Sequence, residues 1–230
     1  MGLLDIFYPK QCLGCKKYGK YICRDCIRSL PQVKQRCIVC QRPAIDGYTH
    51  PTCRGKYTID RAIALYPYRS VVGKAIRSLK YKFATEIAKE LCEIIISHSP
   101  ISLTTQIPPN SVLVPIPMHW RRKNWRGFNQ TEVIGESLSQ SLGLSWKPNL
   151  LIRTTQPKAQ EGLKREDRIS NVSNVFSLSP NPIHKSSILN PKSVYILFDD
   201  VLTTGSTLSE AGKVLKKAGA KKVWAVTIAR

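Results

Sequence analysis

Residues 194–207 read VYILFDDVLTTGST. Five apolar residues, Val194 to Phe198, run without a polar break and stop at two adjacent carboxylates, Asp199 and Asp200. An unbroken apolar run of this kind fits a central strand buried on both faces of a parallel sheet. Thr203, Thr204, Gly205, Ser206 and Thr207 follow, and helical spacing then sets in over Thr207–Gly219. A loop that opens a helix presents unpaired backbone N–H groups and the positive end of the helix dipole. Gly205 lets the backbone approach an anion closely, and the four hydroxyls add donors. Together they predict a phosphate cradle, although the G-x-x-x-x-G-K-[ST] pattern of a Walker loop is absent. The paired carboxylates repel phosphate but suit the vicinal hydroxyls of a ribose, and they can help hold a magnesium-bound sugar. A ribose 5-phosphate satisfies both halves. The competing reading is two acids at a helix start followed by an ordinary turn.

Around this stretch strands alternate with helices. Strands are expected over Asp60–Tyr68, Val112–Ile116, Leu150–Arg153 and Val223–Ala229, and helices over Ser70–Phe83, Ala84–His98 and Gln130–Leu142. Ser99–Asn110 and Ser179–Lys192 carry prolines and read as loops; Thr154–Asn174 is polar, charged and lacks a long apolar period, and reads as a mobile loop. The alternation predicts an α/β domain over 59–230, a parallel sheet with helices on both faces. Ligands of such sheets bind beyond the carboxyl ends of the strands, where Asp199, Asp200 and the hydroxyl loop fall.

The chain has 230 residues and a formal net charge of +21, from 36 basic and 15 acidic side chains. That imbalance favours polyanionic or phosphorylated partners, with a solvated basic surface as the plain alternative. No apolar run approaches the roughly 20 residues of a membrane span. The first residues show no secretory signal, so a cytoplasmic location is expected.

Seven of the eight cysteines lie within the first 53 residues. Without a secretion signal, short-range pairs of this kind read as metal ligands rather than disulfides. Cys12 and Cys15 pair in one knuckle and Cys23 and Cys26 in the next; Cys37 with Cys40 and His50 with Cys53 repeat the spacing. Two such knuckles complete the tetrahedron that zinc accepts, and all-protein coordination marks a structural site. Residues 1–58 are therefore expected to form a small double zinc ribbon whose two Zn²⁺ ions replace a core too small to bury. Consecutive and interleaved pairing of the knuckles both remain open. His50 is the weakest ligand, since a lone histidine is often a surface residue. Cys92, on the apolar face of Ala84–His98, reads as a core residue.

Residues 194–220 resemble the phosphoribosyl-pyrophosphate signature of type I phosphoribosyltransferases. The stretches VLVPIPMHWRRKNWRGFNQTEVIGESL at 112–138, LKYKF at 79–83 and RTTQPKAQEGLKREDRISNVSNVF at 153–176 are similar to the ComF competence-protein family, as are the four ligand pairs. The resemblance covers nearly the whole chain, with His50 standing where a fourth Cys-x-x-Cys is common. It implies a type I phosphoribosyltransferase-like fold that binds phosphoribosyl pyrophosphate with Mg²⁺. Asp199 and Asp200, the catalytic positions, would meet the ribose hydroxyls, and Thr203, Thr204, Gly205, Ser206 and Thr207 the 5-phosphate. Pro115 and Ile116 would shape a pyrophosphate site served by Arg121, Arg122 and Arg126. A segment carrying Gln160, Lys164, Arg165, Arg168 and Asn171 would close over it. The chemistry implied is substitution at the anomeric carbon, but Thr203 stands where purine-salvage transferases carry an acid/base aspartate, and no acceptor motif is legible. The family further implies a role with internalised single-stranded DNA beside a helicase-like partner. Trp120, Trp125 and Tyr81 among Lys80, Lys82 and the arginines suit base stacking, with ordinary packing as the alternative. Three functions stay open: an active transferase, a ligand-binding protein without turnover, and a zinc-containing single-strand-binding adaptor on a transferase scaffold.

Overall fold

Strand alternation divides the core in two. In the computed structural model, which describes residues 9–79, 84–98, 106–154, 175–180 and 190–230, the strands are β1 (Arg61–Tyr66), β2 (Val112–Pro115), β3 (Ser145–Trp146), β4 (Leu151–Arg153), β5 (Phe176–Leu178), β6 (Val194–Val201) and β7 (Lys222–Ala229). The helices are α1 (Arg24–Arg28), α2 (Val71–Ser78), α3 (Ala84–His98), α4 (Trp120–Arg126), α5 (Gln130–Leu142) and α6 (Ser206–Lys217). Five strands form a parallel sheet in the order β1-β7-β6-β2-β3. Successive side chains of a strand point to opposite faces. Val194, Ile196 and Phe198 of β6 accordingly join Ile63 and Leu65 of β1 and Trp224, Val226 and Ile228 of β7 in a core covered by α2, α3 and α5. Tyr195 and Leu197 join Ala62, Val114 and Val223 on the other face, under α6 and the β4–β5 pair. This is the parallel sheet with helices on both faces that the alternation predicts.

Two features of the crossovers place the site. The helix α5 that follows β2 packs on one face, and α6, which follows β6, packs on the other. β2 and β6 are neighbours in register, Val112 beside Tyr195 through Pro115 beside Phe198. The carboxyl ends of these two strands therefore border the crevice where the winding reverses, the usual ligand position of an open α/β sheet.

The elements differ from expectation in four places. β6 runs three residues past Phe198, because the ladder with β7 continues through Asp199 beside Thr227 and Val201 beside Ala229. The two carboxylates thus stand on the strand itself. β4 lies outside the parallel sheet and pairs antiparallel with β5, Leu151 opposite Leu178. The short strands β3 and β5 carry too few residues for a visible period. The arginine-rich segment after β2 is helical, as α4: His119 caps it by accepting the Arg121 N–H at 3.2 Å, and Gly127, at φ 79°, ends it. The expected LKYKF site at 80–83 and the loop segment 155–174 lie outside the described residues.

Residues 9–53 are fastened to both faces. Ile22 and Ile27 join the core under α2 and α3, where the Ile22 N–H donates to Glu90 at 2.9 Å and the Lys74 ammonium to the Leu13 carbonyl at 3.0 Å. Ile38 joins the opposite core. The Gln35 amide pairs with the outer edge of β1 through both groups of Ala64, at 2.9 and 3.0 Å, and with the Tyr48–Arg61 bridge it covers an edge that could otherwise take another strand. Among the described residues no helix is long and apolar enough to cross a membrane.

Candidate functional site

The metal ligands assemble in consecutive pairs. Cys12, Cys15, Cys23 and Cys26 form one group and Cys37, Cys40, His50 and Cys53 the other, with all ligand atoms of a group within 4.8 Å of one another. Interleaved pairing is excluded by this grouping. The Cys12 and Cys26 sulfurs stand 3.8 Å apart and those of Cys15 and Cys23 3.6 Å. A tetrahedron with Zn–S bonds near 2.3 Å separates its corners by about 3.8 Å, so the donor set fits zinc. Both knuckles use the same backbone turn: the Lys16 N–H returns to Cys12 O and the Gln41 N–H to Cys37 O, each at 2.9 Å.

Crowded thiols explain why a cation belongs there. Burial, and then neighbouring Cys23, Cys15 and Cys12, push the Cys26 thiol up to about 12. The Arg42 backbone N–H leads the interactions that pull Cys40 down to about 6. Four sulfurs cannot all ionise at this range unless a divalent ion neutralises them. His50 is a fit ligand through Nδ1, which lies 3.3 Å from the Cys40 sulfur, while its Nε2 lies 3.0 Å from the Pro43 carbonyl. A backbone acceptor on one ring nitrogen leaves the other free for metal. Cys92 stays apart, buried on α3 and pushed up to about 11 by that burial, as an inert core thiol.

At the carboxyl end of β6, Asp199 accepts the Asp200 backbone N–H at 2.8 Å. Strand alternation turns the two carboxylates to opposite sides of the sheet, Asp199 with the α6 face and Asp200 with the α5 face. Burial first, and the Asp200 charge second, push the Asp199 carboxyl up to about 8, while Arg153 draws it down. Arg153 ends β4 and lies over the Phe176 ring at 5.4 Å, so the β4–β5 pair holds a guanidinium whose charge acts on Asp199. Arg153 was not among the residues expected at the site; its only sequence signal is its place at the head of the 153–176 stretch.

The loop beyond β6 is pinned at its start by the Leu202 N–H to Ala229 O at 2.8 Å. Thr203 and Thr204 are exposed, Ser206 and Thr207 half-buried, and Thr204 and Ser206 share a hydroxyl contact at 2.9 Å. Gly205, at φ 81°, is the N-cap of α6, a backbone state that disfavours any residue with a Cβ. The 12-residue α6 turns the N–H groups of its first turn toward this loop.

Next to it, β2 gives way to Ile116, whose N–H donates to Phe198 O at 2.9 Å. The Ile116 carbonyl accepts from Asn129 at 3.3 Å and Thr131 at 3.1 Å, both at the start of α5. Pro115 has no N–H and that of Ile116 is used, so these two shape the loop and have no amide to offer an anion. Arg121 and Arg126 stand on α4; Arg121 lies over the Trp120 ring at 5.3 Å and Arg126 reaches Gln130 at 3.5 Å. The Arg122 side chain lies outside the described residues.

Residues 3–55 match the double zinc ribbon domain family. Competence protein F of Haemophilus influenzae is 28% identical over 234 residues, spanning 100% of this chain and 94% of that protein. DNA utilization protein YhgH of Escherichia coli K12 is 29% identical over 210 residues, 88% and 87% of the two chains. Competence protein ComFC of Bacillus subtilis is 27% identical over 229 residues, 93% and 86%. Among solved structures, glutamine phosphoribosylpyrophosphate amidotransferase from B. subtilis has a TM-score of 0.37 at 14% identity, over 63% of this chain and 27% of that one. A hypoxanthine phosphoribosyltransferase from Staphylococcus aureus has a TM-score of 0.36 at 14% identity, over 62% of each chain. The chain thus carries a match to the double zinc ribbon at its N-terminus and is similar to competence protein F, YhgH and ComFC along most of its length.

Proposed function

We propose that the crevice at the carboxyl ends of β2 and β6 binds phosphoribosyl pyrophosphate with Mg²⁺, in the service of DNA handling. The observation that carries this reading is one junction: paired carboxylates on the last residues of a central strand, followed within three residues by a hydroxyl loop that opens α6. In it, Asp199 and Asp200 accept from the ribose hydroxyls. Thr203, Thr204, Ser206, Thr207 and the α6 amides, with Gly205 as the close-approach point, donate to the 5-phosphate. Arg121, Arg122 and Arg126 belong to the segment that follows the neighbouring strand end and the loop shaped by Pro115 and Ile116, and would serve the pyrophosphate, since guanidinium groups can fork onto phosphate oxygens. Departure of pyrophosphate from the anomeric carbon would be favoured by that positive charge and by Mg²⁺ carried in with the ligand. Thr203 supplies no acid/base carboxylate, so the acceptor must attack without a general base at this position or the ligand is held without turnover.

Calorimetric titration of the zinc-loaded protein with phosphoribosyl pyrophosphate and Mg²⁺ tests this, beside a variant carrying Asp199→Asn and Asp200→Asn. Saturable binding that the variant loses is the expected outcome. A folded wild type that takes up no ligand would remove the reading.

A second reading is a single-strand-binding adaptor. The observation favouring it is on α4, where Trp120 and Trp125 are 58% and 76% exposed beside Arg121 and Lys123. Large exposed indoles among cations are the components of a base-stacking platform.

A further inference from the structure

We propose that Gln41, on the second zinc knuckle, is a positioning residue for the 203–207 loop, so that metal held by the second ribbon, and not the first, sets the shape of the anion cradle. The proposal takes its ligand from the ribose-phosphate reading above; its contacts stand without it.

The two knuckles are built alike and used differently. Lys16 and Gln41 each follow the second cysteine of a Cys-x-x-Cys, and each adopts a left-handed backbone, at φ 66° and 62°. That state is costly for a residue with a Cβ and persists where surroundings impose it. Cys12 N–H returns to Lys17 O at 2.8 Å, as Cys37 N–H returns to Arg42 O at 2.9 Å. In the first knuckle this position carries an exposed lysine. In the second, the half-buried Gln41 turns its amide toward the loop. It donates to Ile38 O at 2.7 Å and to Thr204 O at 3.3 Å, and its oxygen accepts from Arg230.

A second contact comes from the same knuckle. Ile38, between the ligands Cys37 and Cys40, lies against Gly205 so closely that a Cβ there would stand 2.8 Å from its Cγ1. Ile38 is buried in the same core as Leu202 and Leu208, which flank the loop. The knuckle thus grips the cradle at two successive residues: Thr204 by its carbonyl and Gly205 by its bare α-carbon. Both grips depend on the turn that the Cys37 and Cys40 ligands fix. Released from metal, Gln41 has no reason to stay left-handed, and its amide swings away from Thr204.

The test uses the full-length zinc-loaded protein as wild type, Gln41→Ala, Gln41→Glu and Lys16→Ala. Zinc content, hydrogen exchange at amides 203–208 and titration with phosphoribosyl pyrophosphate plus Mg²⁺ are measured on each. Gln41→Ala is expected to keep both zinc ions, exchange the loop amides about tenfold faster and bind the ligand about tenfold more weakly. Gln41→Glu, which can still accept from Arg230 but cannot donate to Thr204, should share the defect. Lys16→Ala should match wild type. Wild-type exchange at 203–208 in Gln41→Ala at full zinc content would overturn the proposal. If wild type binds no ligand, the ribose-phosphate reading fails, and the exchange comparison alone decides the role of Gln41.

Discussion

Asp199 has a carboxyl that the fold holds protonated near neutrality. Its usual value is 3.8 and burial with the Asp200 charge raises it to about 8, so the folded chain binds that proton more tightly than the unfolded one. The stability this contributes is fully present below about pH 4 and is lost as pH rises through 8. Wild type should therefore melt at progressively lower temperature between these limits, and Asp199→Asn should lack that component of the slope in a melting series against pH. Ligand hydroxyls donate to a carboxylate, so binding at pH 7 should release close to one proton. Titrations in buffers of differing ionisation enthalpy read that release, and no buffer dependence would argue against Asp199 as an acceptor. Arg153 belongs to the same balance, and it was illegible beforehand because a strand-end arginine gains meaning only when the β4–β5 pair joins the core that β6 shares.

At the scale of elements, legibility followed periodicity. Val194–Phe198 announced a two-sided buried strand because nothing polar interrupts it, and Gln130–Leu142 and Ala84–His98 emerged as α5 and α3 from their 3.6-residue spacing. The extension of β6 through Asp199 and Asp200 was hidden, because a parallel ladder is decided by the length of its neighbour and not by the polarity of its own residues. α4 was hidden for a related reason: WRRKNWR has no apolar stripe, and its helix rests on the His119 cap and the Gly127 stop. That leaves two indoles displayed on a helix with little to bury them. Trp120→Ala and Trp125→Ala should each weaken single-stranded DNA binding by about tenfold, a base-stacking effect, and leave the melting temperature nearly unchanged. Anisotropy titrations with a labelled oligonucleotide at several salt concentrations measure this. Equal affinity in both variants would reduce α4 to a solvated basic helix.

For the whole molecule, the ribbons are part of the core and not an appendage. The spacing alone suggested a metal-folded module beside an independent sheet, since nothing in Cys-x-x-Cys pairs says what the intervening Ile22, Ile27 and Ile38 will touch. In the structure those isoleucines enter the two cores from opposite sides. Chelation should therefore lower the melting temperature of the entire chain in one cooperative transition, read by far-ultraviolet circular dichroism with zinc release followed by a chromogenic chelator. Two separated transitions, with the sheet melting as in the zinc-loaded protein, would show the opposite. The placement of β1 carries a further consequence, for the order of folding. Within the described sheet β1 borders β7 alone, and Ala62 meets a partner, Ala225, that is made long after it. At ribosomal rates of about 5–20 residues per second, β1 waits on the order of ten seconds for that partner. The metal-ligand pairs and Gln35 all lie upstream of β1, so during this interval they and the Ala64 backbone that the Gln35 amide meets are already made. The residues that cover the outer edge of β1 thus precede it in the chain, whereas its one neighbour in the described sheet, β7, is the last strand to be made.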